Sequence, residues 1–187
     1  MSTSQVSAQV QTLTKPHWLG ALAFAVLIGL SAQLSFDLPG TTVPQTAQTI
    51  VVLLAGAFLG FSAASLCIVL YLFAGLAGLP VFANGGSGAN TLFGPTGGYL
   101  IGFWMAACLL GYLADIRKLR RPVWRLFVWM LLAHMTIVAT GGLLLSFTVG
   151  LPAAWFNGVQ PFIVGAVVKS VIAACIVLVA GVMIRRQ

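Results

Sequence analysis

Residues 46–82 read TAQTIVVLLAGAFLGFSAASLCIVLYLFAGLAGLPVF, 37 residues without one charged side chain. As a single α-helix this stretch would be about 55 Å long, against a hydrocarbon core of about 30 Å. One straight crossing does not accommodate it. Gly60, Phe61 and Ser62 lie near its middle, and glycine is about 1 kcal/mol poorer than alanine in a helix, so the break is expected there. The sequence therefore predicts two short spans, about 46–60 and 62–80.

The rest of the chain has the same character. Of 187 residues, 9 are Lys or Arg and 2 are Asp or Glu, so 6% are charged, where a soluble domain carries about 25%. With 60% hydrophobic residues and a mean hydropathy of +1.06, too little polar surface exists to coat a water-facing globule, and the solvent must be lipid. Four further apolar runs, about 18–36, 95–114, 123–148 and 161–184, end at charge, Gly or Pro. The expectation is a single all-α integral membrane domain over 1–187, with 1–17 as a cytoplasmic tail. The first run follows Lys15 and continues uncharged through Phe36, so it reads as a retained helix rather than a signal peptide.

Charge supplies a count that does not depend on length. The net charge of +7 would suggest nucleic acid in a soluble protein, yet the basic residues flank apolar runs: Lys15; Arg117, Lys118, Arg120, Arg121 and Arg125; Arg185 and Arg186. The positive-inside rule places all three groups on the cytoplasmic side and leaves no nucleic-acid role. Lys15 and the Arg117 group share a side only if an even number of crossings separates them, which makes the 37-residue run cross twice. A six-transmembrane-helix bundle with both termini cytoplasmic follows. The segments Asp37–Gln45, Val81–Gly94 and Val149–Gln160 then face outside. Their Gly, Asn, Pro and Trp residues suit loops that close over a small molecule; mobile hairpins are the other reading.

Eight of the nine basic residues sit at span ends or in inner loops. The ninth, Lys169, lies inside the last apolar run, about 12 Å in from Pro161. An ionisable residue at such depth faces a polar cavity that holds an anionic or strongly hydrogen-bonding ligand, or it is a structural lysine bonded to carbonyls. His134 has no second His or carboxylate at ligand spacing and reads as a hydrogen-bonded core histidine. Cys67, Cys108 and Cys175 read as buried free thiols. Gly56 with Gly60, and Gly94, Gly98 and Gly102, form small-residue stripes suited to close helix packing. No phosphate-binding glycine loop, nucleophile paired with a base, or metal site is visible, so the chain is expected to be no enzyme and to carry no metal or cofactor.

The sequence also contains stretches of a more specific kind. Val43, Pro44, Gln45, Thr46, Ala47 and Gln48 resemble a VPxTxQ segment. Leu70, Tyr71 and Leu72 precede Gly78-Leu79-Pro80-Val81-Phe82-Ala83, and residues 94–103 read GPTGGYLIGF. In this order and spacing they resemble the biotin transporter substrate-binding (BioY) family, the membrane-embedded S components of energy-coupling factor transporters. The resemblance implies a multi-pass protein of the cell membrane, set among membrane lipid, that captures biotin from outside. It would hand biotin to a transmembrane coupling subunit with two ATPase subunits. A self-sufficient facilitator and a non-transporting scaffold are the alternatives.

The family's PFxxGDxxK pattern falls on Pro161, Phe162, Gly165, Ala166 and Lys169, with Ala166 where the family usually has Asp. Lys169 then lacks the acid that would share its helix face, and the ureido N–H donors of biotin need another acceptor. Asn84, Asn90 and Gln48 are the candidates. Phe82, Tyr99, Trp155 and Phe162 are expected to pack on the apolar parts of the ligand. Ala21 and Ala25 resemble the AxxxA surface on which S components dock to the coupling subunit, with ordinary helix packing as the second reading.

Overall fold

The computed structural model describes residues 17–37, 40, 41, 43–116 and 123–185, with side chains through residue 181. Lys15, the Arg117–Arg121 group, Arg186 and the 1–16 tail lie outside these residues. Helix α1 spans His17–Ala32, and strands β1 (Ser35–Phe36) and β2 (Gln45–Thr46) pair antiparallel, Ser35 opposite Thr46 and Phe36 opposite Gln45. Helix α2 spans Gln48–Leu76, and a 3₁₀ turn at Ala83–Gly85 leads to the short α3 (Gly88–Leu92). Helices α4 (Gly97–Asp115) and α5 (Val123–Val149) follow. The chain then runs through α6 (Leu151–Ala154) and a π-helical turn (Trp155–Val159) into α7 (Gln160–Arg185).

The long apolar run breaks at Gly60, whose φ of 76° and ψ of 174° are open to glycine and little else. The two limbs fold back on each other. Gln48 and Tyr71 are 23 residues apart, which in a straight helix would separate their Cα atoms by about 34 Å. Instead Gln48 Nε2 donates to the Tyr71 hydroxyl at 2.7 Å. At the other end the turn rests on Gly111 of α4, where a Cβ would come within 2.8 Å of the Gly60 carbonyl carbon and of Phe61 Cα. The backbone N–H of Phe61 donates to Asp115 Oδ2 at 3.0 Å. An acid is favourable there because the first N–H groups of a helix have no partner within it.

Helix α2 is the hub. It packs on α1 and α4; α4 packs on α5, α5 on α7, and α7 returns to α2. These contacts close a ring of four helices. Small residues allow it: a Cβ on Gly56 would approach Leu110 Cβ at 2.7 Å, and one on Gly102 would approach Ile137 Cα at 2.8 Å. Outside the ring, Leu22, Val26, Leu30, Phe73, Phe147 and Val164 are exposed, a surface suited to hydrocarbon. Among the described residues, four stretches are long and apolar enough to cross a membrane: Gln48–Leu76, Gly97–Asp115, Val123–Val149 and Leu151–Gly181; His17–Ala32 is apolar but shorter.

Several expectations need correction. The segment Val149–Gln160, expected as an outer loop, is almost wholly helical: Gly150 (φ 82°) ends α5, and Pro152 in the first turn of α6 restarts the helix at once. The first apolar run leaves the helix after Ala32 and becomes the β1 strand. Ala21 is fully buried and Ala25 nearly so, both within the chain's own core. Their face packs inside this chain and is no free docking surface. Of the three cysteines, only Cys67 is buried; Cys108 is half-buried and Cys175 exposed.

Candidate functional site

A cavity of about 190 Å³ lies inside the ring, toward the end that carries the β1–β2 hairpin and the 81–96 segment. It is far larger than one water requires. Each element contributes a distinct piece. Helix α4 supplies Tyr99, Leu100 and Phe103, and α5 supplies His134, Ile137 and Val138. Helix α7 supplies Phe162 and Lys169, the segment entering α2 supplies Val43, Pro44, Gln45 and Thr46, and the first turn of α2 supplies Gln48 and Thr49. Phe82, Ala83, Asn84, Thr91 and Thr96 complete the wall. The lining is thus mostly apolar, with a few placed polar groups, as small-molecule sites are.

Among the described residues of that lining, Lys169 is the one formally charged side chain. It sits nine residues into α7, about 13 Å along its axis. Its amine donates to Gln45 Oε1 at 2.8 Å and to the Thr46 carbonyl at 2.7 Å. Both acceptors are neutral, and no carboxylate lines the cavity among the described residues. The two acids of the sequence are spent elsewhere: Asp115 binds Phe61 N–H, and Asp37 Oδ1 lies 3.5 Å from Asn84 Nδ2. The lysine therefore lines a cavity and also bonds to a backbone carbonyl.

The aromatic wall is held from behind. Tyr99 and Phe162 face each other with ring centroids 5.6 Å apart, and the Tyr99 hydroxyl donates to the Gly158 carbonyl in the π-helical turn. Phe82 is buried edge-on against Tyr71 at 5.5 Å, over Gly75, where a Cβ would collide with its ring. His134 is buried, with Nδ1 3.4 Å from Ser170 Oγ. It is the hydrogen-bonded core histidine expected, and it also reaches the cavity wall.

The remaining expected site residues divide. Asn84 lines the mouth, in a left-handed conformation (φ 55°), bonded to Ser35 Oγ. Gln48 lines the cavity with its carboxamide already engaged: Nε2 with Tyr71 and with the Ile28 carbonyl at 3.4 Å, Oε1 with the Thr46 hydroxyl at 3.3 Å. Three candidates are not in the wall. Asn90 is exposed on α3, Trp155 is 51% exposed on the π-helical turn, and Ala166 is buried in the core. The sequence reading passed over Gln45, Thr46 and Thr49. Thr49 Oγ1 is the one buried side-chain polar atom without a hydrogen-bond partner among the described residues. Their signal was proximity: all three lie within or beside the VPxTxQ-like segment, polar residues at the entrance to an apolar helix.

The model of the BioY family matches residues 4–186. The chain belongs to the BioY family. It is 37% identical over 160 residues to the biotin transporter BioY of Thermotoga maritima, covering 83% of this chain and 89% of that one. It is 32% identical over 156 residues to the biotin transporter BioY2 of Lactococcus lactis, covering 82% and 81%. Among solved structures, it is similar to the S-component for biotin from an ECF-type ABC transporter, with a TM-score of 0.77 and 25% identity over 100% of this chain and 95% of that one. A BioY chain is a multi-pass membrane transport protein rather than an enzyme.

Proposed function

We propose that this BioY chain is the biotin-binding S component of an ATP-driven vitamin transporter, and that the Lys169 cavity is its biotin site. The observation that carries the reading is a cavity of about 190 Å³ with a mostly apolar, aromatic wall that includes one lysine. Biotin has matching chemistry: an apolar bicycle and valeryl chain to desolvate, and a ureido group rich in hydrogen-bonding atoms. The ureido oxygen accepts from Lys169, the bicycle lies against Tyr99, Phe162 and Phe82, and the valerate carboxylate points to the mouth near Asn84.

The chain crosses the membrane six times, as α1, the two limbs of α2, α4, α5 and α7, with both termini cytoplasmic. The basic groups at Lys15, Arg117–Arg125 and Arg185–Arg186 support this orientation, which makes the cavity open outward. No nucleotide-binding motif is present in the sequence, so energy comes from partners: a transmembrane coupling subunit and two ATPases. Cells producing all four chains should accumulate labelled biotin and stop when ATP is depleted. Uptake that is indifferent to ATP would contradict this and indicate a self-sufficient facilitator.

A further inference from the structure

Lys169 draws on two neutral acceptors, and one of them is a side chain. Gln45 is 4% exposed, in the short strand β2, and lines the same cavity. Its carboxamide rests against α7, where a Cβ on Gly165 would approach both Nε2 and Oε1 at 3.2 Å. Oε1 accepts from Lys169 at 2.8 Å, while Nε2 has only a long contact of 3.4 Å to the Pro161 carbonyl. A carbonyl oxygen has two lone pairs and an ammonium three N–H groups. Among the described residues, Lys169 uses two of its three on Gln45 and Thr46, and Gln45 Oε1 has one donor.

We infer that Gln45 is a ligand-binding residue, and that Gln45 Oε1 and Lys169 Nζ together read a carbonyl flanked by N–H, the edge of a cyclic urea or lactam. The amine donates to the ligand carbonyl and Gln45 Oε1 accepts the adjacent N–H. Polar groups 2.8 Å apart, one donor and one acceptor, match the two neighbouring polar atoms of such an edge. No carboxylate is required at the site. The inference rests on the biotin reading, because it names which protein atom receives a ureido proton. Selectivity follows from it: a ligand with the carbonyl but no adjacent N–H leaves Gln45 Oε1 buried with one bond fewer, and so binds less tightly.

The test compares biotin with its two mono-N-methylated ureido analogues, by calorimetry, on the purified full chain and on Gln45→Leu and Gln45→Glu. The parent should bind biotin at least about tenfold more tightly than one of the two analogues. Gln45→Leu should collapse that ratio to near one, and Gln45→Glu, which keeps an acceptor, should preserve it. The ratio is taken within one preparation, so partial misfolding of a variant does not alter it. If Gln45→Leu leaves the ratio unchanged, or weakens biotin and both analogues by one common factor, Gln45 only holds the lysine and the inference is overturned. Failure of the parent to bind biotin would instead overturn the biotin reading itself.

Discussion

Gln48 and Tyr71 meet at 2.7 Å at the open end of a helical hairpin whose closed end is Gly60. Tyr71 in turn packs edge-on against Phe82, a wall of the cavity. The bond that keeps the two limbs of α2 together thus also backs the candidate site. Fold and site share these residues, and substitutions behind the wall should register in both stability and binding.

Tyr71→Phe removes the hydroxyl and leaves the buried Gln48 amide short of a partner. Such losses amount to about 1 to 3 kcal/mol. Thermal unfolding in detergent should show a lower midpoint, and Gln48→Leu combined with Tyr71→Phe should destabilise by less than the sum of the single changes. Strict additivity would show that the two side chains do not act as a pair.

Gly60→Ala places a side chain in a backbone region that disfavours it, by about 1 to 3 kcal/mol, and drives the new Cβ into Asp115. Asp115→Ala removes only the cap on Phe61 N–H, worth about 0.5 to 2 kcal/mol. Unfolding measurements should therefore rank Gly60→Ala as the more damaging. The reverse order would mean that the hairpin does not turn at Gly60.

Gly75→Ala puts a methyl where the Phe82 ring lies. Overpacking of this kind costs about 1 to 3 kcal/mol and moves the ring, so biotin binding should weaken along with stability. Gly181→Ala is the control, since nothing lies within 4 Å of its added methyl. Unchanged binding in Gly75→Ala would remove Phe82 from the ligand site.

Orientation is open to a chemical test. With Cys67, Cys108 and Cys175 first replaced, Ser87→Cys should react with a membrane-impermeant thiol reagent in intact cells and Arg120→Cys should not. The opposite labelling would invert the topology and turn the cavity inward.

Much of the architecture was legible because length and charge are strong constraints in lipid. A run of 37 uncharged residues has to turn somewhere, and only Gly60 tolerates a φ of 76° there. Periodicity and composition failed at the 149–160 segment, where Gly and Asn suggested a loop. Pro152 starts a helix instead, a π-helical turn follows it, and Trp155 at the start of that turn is exposed. Lys169 was legible as a charge at a depth that requires a reason. Its partner Gln45 was not, because 124 residues separate them and only the packing of β2 against α7 brings them together. Local pattern favoured Asn90, a polar residue in a glycine-rich stretch, yet α3 turns it to the exterior.

The most direct test of the biotin site is calorimetry on the purified protein and on Lys169→Met, with biotin, lipoate and thiamine. A charge-assisted hydrogen bond contributes about 1.5 to 3 kcal/mol. The parent should bind biotin below the micromolar range and in preference to lipoate and thiamine, and Lys169→Met should weaken biotin roughly 10- to 150-fold while the ligand-free variant still folds and unfolds cooperatively. Biotin bound equally well by parent and variant, or by neither, would contradict a biotin site built around Lys169.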